Sequence, residues 1–358
     1  MIIGPPKCCV KDLAIIPCTI TDINSIDECI PFTEDGMYPI FASPMNCVSN
    51  EKNYDVWIKN KIQAILPRTV SYNIRLDYML QGKWTALSEQ EFEFLFTEED
   101  SCKQYLKKSI FRICIDTMNG HKKFLYDNVN TAKKYAKKYG YTIVIMLGNI
   151  ANPETYRWIC ENSDVDYIRV NIGTGKSCCT SVQSGVHYPA ASLISDCAKI
   201  REEFLEDIDE YHQYPKCLPK IVSDGGMQVF SDIIIALALG ADYVMIGSLL
   251  AACDESASET VEMNNEKMKI FYGITTNKVQ ALIQQATTVQ STDKEELMTE
   301  GVTRYLDCSG PIARWLSKFE SALKIAMSYT GCRTIKEFTS GNVQLIIKSP
   351  QTIKLLDE

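Results

Sequence analysis

Short apolar runs that end in small or polar residues recur along the chain, each followed by a stretch of helical period. The runs at 39–43, 63–66, 111–116, 142–147, 166–171, 220–223 and 243–247 predict strands, with 342–348 a weaker eighth. Between them, 129–139 sets apolar positions at helical spacing against surface lysines, and 231–239 is compact and almost wholly apolar, so both predict helices. Strand alternating with helix argues for a parallel sheet. Strands apolar on both faces argue that helices cover its outside. Eight strands over 358 residues fit a closed (β/α)8 TIM barrel better than an open doubly wound sheet. No Gly-x-Gly-x-x-Gly opens the first βα unit, which removes the usual sign of a dinucleotide-type Rossmann domain. The expectation is one barrel domain over residues 1–358. Two polar excursions leave it: 202–214, read as a solvated acidic helix, and 275–300, long enough to form a mobile flap beyond a strand end.

Composition narrows the partners. Apolar residues make up 46% and charged residues 23%, ordinary values for a globular chain. Lys and Arg number 37 against 45 Asp and Glu, a formal charge of −8. Such a surface repels nucleic-acid polymers and anionic membranes, whereas a single phosphate can still be held by backbone N–H groups. The longest apolar stretch, 233–250, is interrupted by Gly240 and Asp242, and residues 1–12 lack the basic-then-apolar pattern of a leader. Fifteen scattered cysteines, an odd number, fit reduced thiols in a cytoplasmic setting. With three histidines and no Cys-x2-Cys pair, a structural zinc site is not expected.

The strand ends hold the candidate chemistry. After 166–171 comes Ile172-Gly173-Thr174-Gly175-Lys176-Ser177-Cys178-Cys179-Thr180. Glycines let such a loop turn tightly over the barrel mouth, where barrel enzymes keep their active sites. A thiol there, with a lysine nearby to favour the thiolate, is a candidate nucleophile, and Cys178 is the first choice. The next strand ends carry Ser223-Asp224-Gly225-Gly226 and Gly247-Ser248. Unobstructed backbone N–H groups at these glycines suit a phosphate, and Asp224 suits a ribose diol.

In this order the motifs resemble the IMP dehydrogenase/GMP reductase family, from about Asp12 to Ile347. Further family-like stretches are Pro39-Ile40-Phe41-Ala42-Ser43-Pro44-Met45, Ile115-Asp116-Thr117-Met118-Asn119-Gly120-His121, Leu147-Gly148-Asn149 and Gly185-Val186-His187-Tyr188-Pro189. Phe271-Tyr272-Gly273-Ile274, Glu300-Gly301 and Tyr329-Thr330-Gly331 complete the series. The resemblance implies that Cys178 attacks C2 of a purine nucleoside monophosphate to form a covalent thioimidate. It implies that Asp224, Gly226, Gly247, Ser248, Gly273, Ile274 and Gly301 bind the substrate, and that Thr180 and Glu300 handle protons at C2. Asp116 and Asn149 would face the nicotinamide. Carbonyls of Gly173, Gly175 and Cys178 would hold a monovalent cation, potassium, and the enzyme would be a cytoplasmic homotetramer.

The family divides between oxidation of IMP and reductive deamination of GMP. An Arg-Tyr pair on the flap, which activates water in the dehydrogenases, is missing between Ile274 and Glu300, and Arg304-Tyr305 falls beyond it. Only 67–110 separates the second and third predicted strands, too short for an inserted pair of regulatory modules. The resemblance is therefore closer to the NADPH-dependent reductases, with NADH a second choice of cofactor. An IMP dehydrogenase lacking the modules and a reductase for another purine nucleotide are the alternatives. Lys176 stands where the family has a phosphate-binding serine, and a shifted register would make Cys179 the nucleophile. Leu297 stands where the reductases place an arginine against guanine, which leaves the base open.

Overall fold

Eight parallel strands form a barrel in chain order: β1 (Ile40–Ala42), β2 (Gln63–Ala64), β3 (Trp84–Leu87), β4 (Ile110–Asp116), β5 (Thr142–Ile150), β6 (Tyr167–Val170), β7 (Lys220–Asp224) and β8 (Tyr243–Ile246). The computed structural model describes residues 7–104, 110–117, 119–175, 180–211, 217–273, 276–286, 302–349 and 352. Successive strands pair in parallel, and β8 returns to β1 through Ile40 opposite Val244. Between β2 and β3 the ring closes on one residue, as Leu66 accepts from the Ala86 N–H at 2.8 Å and donates to the Trp84 carbonyl at 3.0 Å.

One strand lies elsewhere than the apolar pattern predicts. The weaker eighth run yields a strand Leu345–Ile347 that pairs antiparallel with Leu13–Ile15, outside the barrel. The barrel strand in its place is β3, inside the 67–110 segment. It is only four residues long, Trp84-Thr85-Ala86-Leu87, too short for its apolar residues to show a strand period among the helices on either side. Segment 202–214 is helical up to Tyr211, as the acidic pattern predicts, but it continues the helix Ala190–Tyr211 that connects β6 to β7 rather than leaving the barrel.

The period of two along the strands sorts the side chains into an outer and an inner set. Ile113, Ile115, Ile145, Leu147, Ile168, Val170, Val244 and Ile246 belong to the core between barrel and helices. Phe41, Trp84, Cys114, Met146, Val222, Tyr243 and Met245 fill the barrel itself. The strand beginnings are sealed by aromatic rings: Phe41 lies 5.6 Å from Trp84 and 5.1 Å from Tyr243, and Trp84 lies 5.5 Å from Tyr167. At the opposite end, the strand C-termini turn the charged groups of Asp116, Arg169 and Asp224 inward, where they pair with one another.

One device recurs at the sealed end. Asp166, just before β6, accepts from the Ile145 N–H at 2.6 Å and pairs with Lys133 at 2.6 Å. Asp242, just before β8, accepts from the Ile221 N–H at 2.7 Å and pairs with Arg201 at 2.5 Å. Each carboxylate ties a strand start to its neighbour and to the helix packed outside. Of the thirteen described cysteines, all free, eight are buried, among them Cys114, whose thiol burial pushes up to about 12. No helix among the described residues is long and apolar enough to cross a membrane.

Candidate active site

The inward positions at the strand C-termini are Asp116 on β4, Gly148 on β5, Arg169 on β6 and Asp224 on β7, with Gly247 just past β8. The strand alternation that buries Ile113, Ile115, Ile168 and Val170 outward turns these residues to the axis. Arg169 sits among three of them. Its guanidinium reaches Asp116 at 3.2 Å, Asp224 at 3.6 Å and the Gly148 carbonyl at 3.2 Å. A second arginine, Arg68, holds the other oxygen of Asp116 at 2.9 Å. Asn149 donates to Asp224 at 2.9 Å and to the Asn171 carbonyl at 2.8 Å. Two cations and two carboxylates thus interlock over four strand ends.

The carboxylates are not equivalent. Burial works against the charge of Asp116, but Arg68 and Arg169 outweigh it and hold its carboxyl below the usual range. At Asp224 burial prevails over Arg169 and the Asn149 amide, and its carboxyl is raised. Because native Asp224 keeps its proton to a higher pH than the unfolded chain does, stability falls as pH rises between the two values. At neutral pH its charge is a net cost. Asp224→Asn keeps an acceptor for Asn149 and removes the charge, so its melting temperature near neutrality should exceed that of the parent chain, the gap shrinking toward about pH 4. A lower melting temperature at neutral pH, followed by circular dichroism, would contradict this.

The structure gathers several residues singled out by sequence. Gly226 follows β7 and Gly247-Ser248 follow β8, which pair side by side. The Phe271 ring, two residues before Gly273, lies 3.6 Å from where a Cβ at Gly247 would stand. The cysteine loop is anchored at its described end: Thr174 donates to the Asp224 carbonyl at 3.2 Å, and Ser181 donates to the Gly173 carbonyl at 2.9 Å. That carbonyl, expected to face a cation, already accepts one hydrogen bond. Thr180 begins the helix Thr180–Ser184. Cys178, Cys179, Ile274, Glu300 and Gly301 lie outside the described residues, as does the flap from 287 onward, while Asn277–Ala286 is a helix. Arg304 and Tyr305 lie on the strand Thr303–Asp307, opposite Phe271 and Ile270.

One expectation changes. A side chain at Gly226 would crowd a phosphate by the sequence reading, yet its Cβ would first meet the Thr174 side chain at 3.2 Å, at a φ of +84°. Gly226→Ala would therefore strain the loop with or without a ligand. Sequence reasoning also passed over Arg68, Arg169 and Asn171. A signal was present for Arg169, a lone cation inside the apolar run Tyr167-Ile168-Arg169-Val170. Such a residue on a covered strand needs partners, and partners of a barrel arginine lie at the mouth.

The IMP dehydrogenase / GMP reductase domain model matches residues 96–354. The GMP reductase of Onchocerca volvulus is 26% identical over 351 residues, 93% of this chain and 89% of that protein. The GMP reductase of Citrobacter koseri is 31% identical over 260 residues, 71% of this chain and 65% of that protein. The inosine-5'-monophosphate dehydrogenase of Chlorobaculum parvum is 30% identical over 230 residues, 63% of this chain and 43% of that protein, so the aligned part spans less than half of it. A barrel whose inward polar network crowns the C-terminal strand ends, with such relatives, is an oxidoreductase. The chain belongs to the IMP dehydrogenase/GMP reductase family.

Proposed function

We propose that this chain is a purine-nucleotide oxidoreductase of the reductase branch, converting GMP to IMP and ammonia with NADPH. The observation that carries the reading is the top layer of the barrel. Asp116, Asn149, Arg169 and Asp224 are locked together around the strand end that leads into the cysteine loop. Alignment of GMP reductases along most of both chains supports the branch, at 90% of this chain and 90% of the protein for that of Oceanobacillus iheyensis. So does the segment 67–110, whose described residues hold helix Tyr72–Leu80, β3, and helices Glu89–Phe96 and Glu99–Lys103. This supports a single domain without an inserted module pair.

In the proposed reaction the Cys178 sulfur adds to C2 of the guanine, and the C2 amino group leaves as ammonia after protonation by Glu300 through Thr180. The nicotinamide supplies the hydride that C2 receives. The C–S bond then breaks, and Cys178 departs as the thiolate, leaving IMP. Asp224 with Gly226, Gly247 and Ser248 would hold ribose and phosphate, while Gly273, Ile274 and Gly301 would line the base. Asp116 and Asn149 would bound the nicotinamide side. A cytoplasmic homotetramer, with potassium on the carbonyls of Gly173, Gly175 and Cys178, completes the proposal.

The assay follows the near-ultraviolet absorbance of reduced nicotinamide. Loss of absorbance with GMP and NADPH, accompanied by ammonia, is expected. Steady NADH production from IMP and NAD, without ammonia from GMP, would assign the dehydrogenase reaction instead. Inactivity in both directions with binding intact would point to another purine nucleotide, in keeping with Leu297.

A further inference from the structure

The turn after β5 brings Asn149 to Asp224, and it is held in place from the loop after β4. Gly120 donates its N–H to the Asn149 carbonyl at 3.1 Å, and a Cβ at Gly120 would stand 2.7 Å from that oxygen, so the two backbones meet with no room for a side chain. The next residue, His121, fastens the other side of the same turn. Its Nε2 accepts the Ala151 N–H at 3.1 Å, and its Nδ1 lies 3.0 Å from Thr155 Oγ1 on helix Pro153–Asn162. A backbone N–H only donates, so Nε2 carries no proton and the ring's single proton sits on Nδ1, donated to Thr155. Both nitrogens are thereby committed to the neutral ring.

A second proton has no place in this arrangement. On Nε2 it would set one N–H against that of Ala151, break the bond and free the turn at 149–151. Asn149 lies inside that turn, its amide on Asp224 at 2.9 Å and on the Asn171 carbonyl at 2.8 Å. The charged groups around the ring are turned to one another: Asp116 to Arg68 and Arg169, Lys122 to Glu89, Lys123 to Asp127, and Arg157 to Glu154 and Glu203. None of them shifts His121, whose pKa is lowered by burial alone. We propose that His121 is a positioning residue: its neutral ring pins the turn after β5, keeps the Asn149 amide on Asp224 for nucleotide binding, and lets go in acid. The inference rests on the reading of Asp224 as a ribose ligand.

The test compares the full-length chain with His121→Gln, whose amide oxygen keeps an acceptor that does not titrate, and His121→Phe, which has none. Hydrogen exchange of the backbone amides at 149–152, read by mass spectrometry and normalised to the intrinsic rate, is measured at about pH 7.5 and about pH 5. GMP affinity is measured by calorimetry under the same conditions, without a dinucleotide. In the parent chain acid should speed the normalised exchange and weaken GMP binding, each by roughly three- to tenfold more than in His121→Gln. His121→Phe should exchange fast and bind weakly at both pH values. Asp224 and the nucleotide phosphate also titrate toward acid, but all three chains share them, so the difference between the parent and His121→Gln belongs to His121. A parent and a His121→Gln variant that respond alike to acid overturn the inference. So does a His121→Phe variant as slow to exchange and as tight in binding as the parent near neutrality, because the ring would then pin nothing. Exchange that follows the expected pattern while GMP affinity does not also overturns it, since the turn would be pinned without serving the nucleotide. If the parent binds no GMP at either pH, the nucleotide reading itself falls, and the positioning role with it.

Discussion

Cys178→Ala is expected to lower turnover by roughly a thousandfold or more while nucleotide affinity stays close to that of the parent chain. The covalent route has no substitute nucleophile if Cys178 supplies the sulfur. The atoms proposed to hold the nucleotide lie on other elements, Asp224 and Gly226 after β7 and Gly247-Ser248 after β8. The loop is also held independently of the thiol, by Thr174 on the Asp224 carbonyl and Ser181 on the Gly173 carbonyl. Removing one sulfur should therefore leave the loop in place. Turnover and equilibrium binding of GMP, measured on the same preparation, separate chemistry from folding. Activity kept in Cys178→Ala and lost in Cys179→Ala would move the nucleophile by one residue and require the shifted register.

The barrel was legible in the sequence where strands carry an apolar residue on both faces. Strand β4 places Ile113 and Ile115 outward and Cys114 inward, and the run stands out for that reason. The short strand β3 was not legible, since four residues, Trp84 to Leu87, are too few to show a strand period, and its link to β2 is made by backbone bonds between Leu66, Trp84 and Ala86. Backbone pairing leaves no mark on residue choice. Conversely, 342–348 has the composition of a strand and forms one, but composition says nothing of which partner it finds. Its partner is Leu13–Ile15.

At the site, motif order brought out Asp116, Asn149, Asp224 and the glycines, and the fold sets these on adjoining strand ends. The groups that bind them together were harder to see. Arg68 lies past the short β2, and its link to Asp116 spans 48 positions. Asn171 looks like an ordinary strand-end residue until its positive φ and its unpaired oxygen are known. The Gly226 case runs the other way. A glycine beside a presumed phosphate invites a ligand explanation, whereas contact with Thr174 already requires it.

Arg75→Met should destabilise the fold by roughly 3–5 kcal/mol, the range for stranding one member of a buried ion pair. Arg75 and Glu91 face each other in a two-pronged pair, NH2 to Oε1 at 2.6 Å and NH1 to Oε2 at 3.0 Å, each side chain 1% exposed. Arg75 also donates to the Val70 carbonyl at 2.9 Å and to the Ala86 carbonyl at 3.0 Å. Glu91 accepts from the Ser88 N–H at 2.9 Å, closing the cap of helix Glu89–Phe96. The pair thus joins helix Tyr72–Leu80, the end of β3 and the following helix, next to the one-residue closure of the barrel. With methionine at 75, the Glu91 carboxylate keeps its burial and loses its cation. For a chain of this size the loss corresponds to a fall in melting temperature of about 4–7 °C. Arg75→Met combined with Glu91→Leu removes both charges and should recover a large part of that loss, because apolar side chains of similar volume often replace a buried pair with little cost. Thermal denaturation of the parent, both single variants and the double variant measures the coupling. Single variants that lose less than about 1 kcal/mol, or a double variant no better than the worse single, would show that the pair does not hold this corner of the barrel.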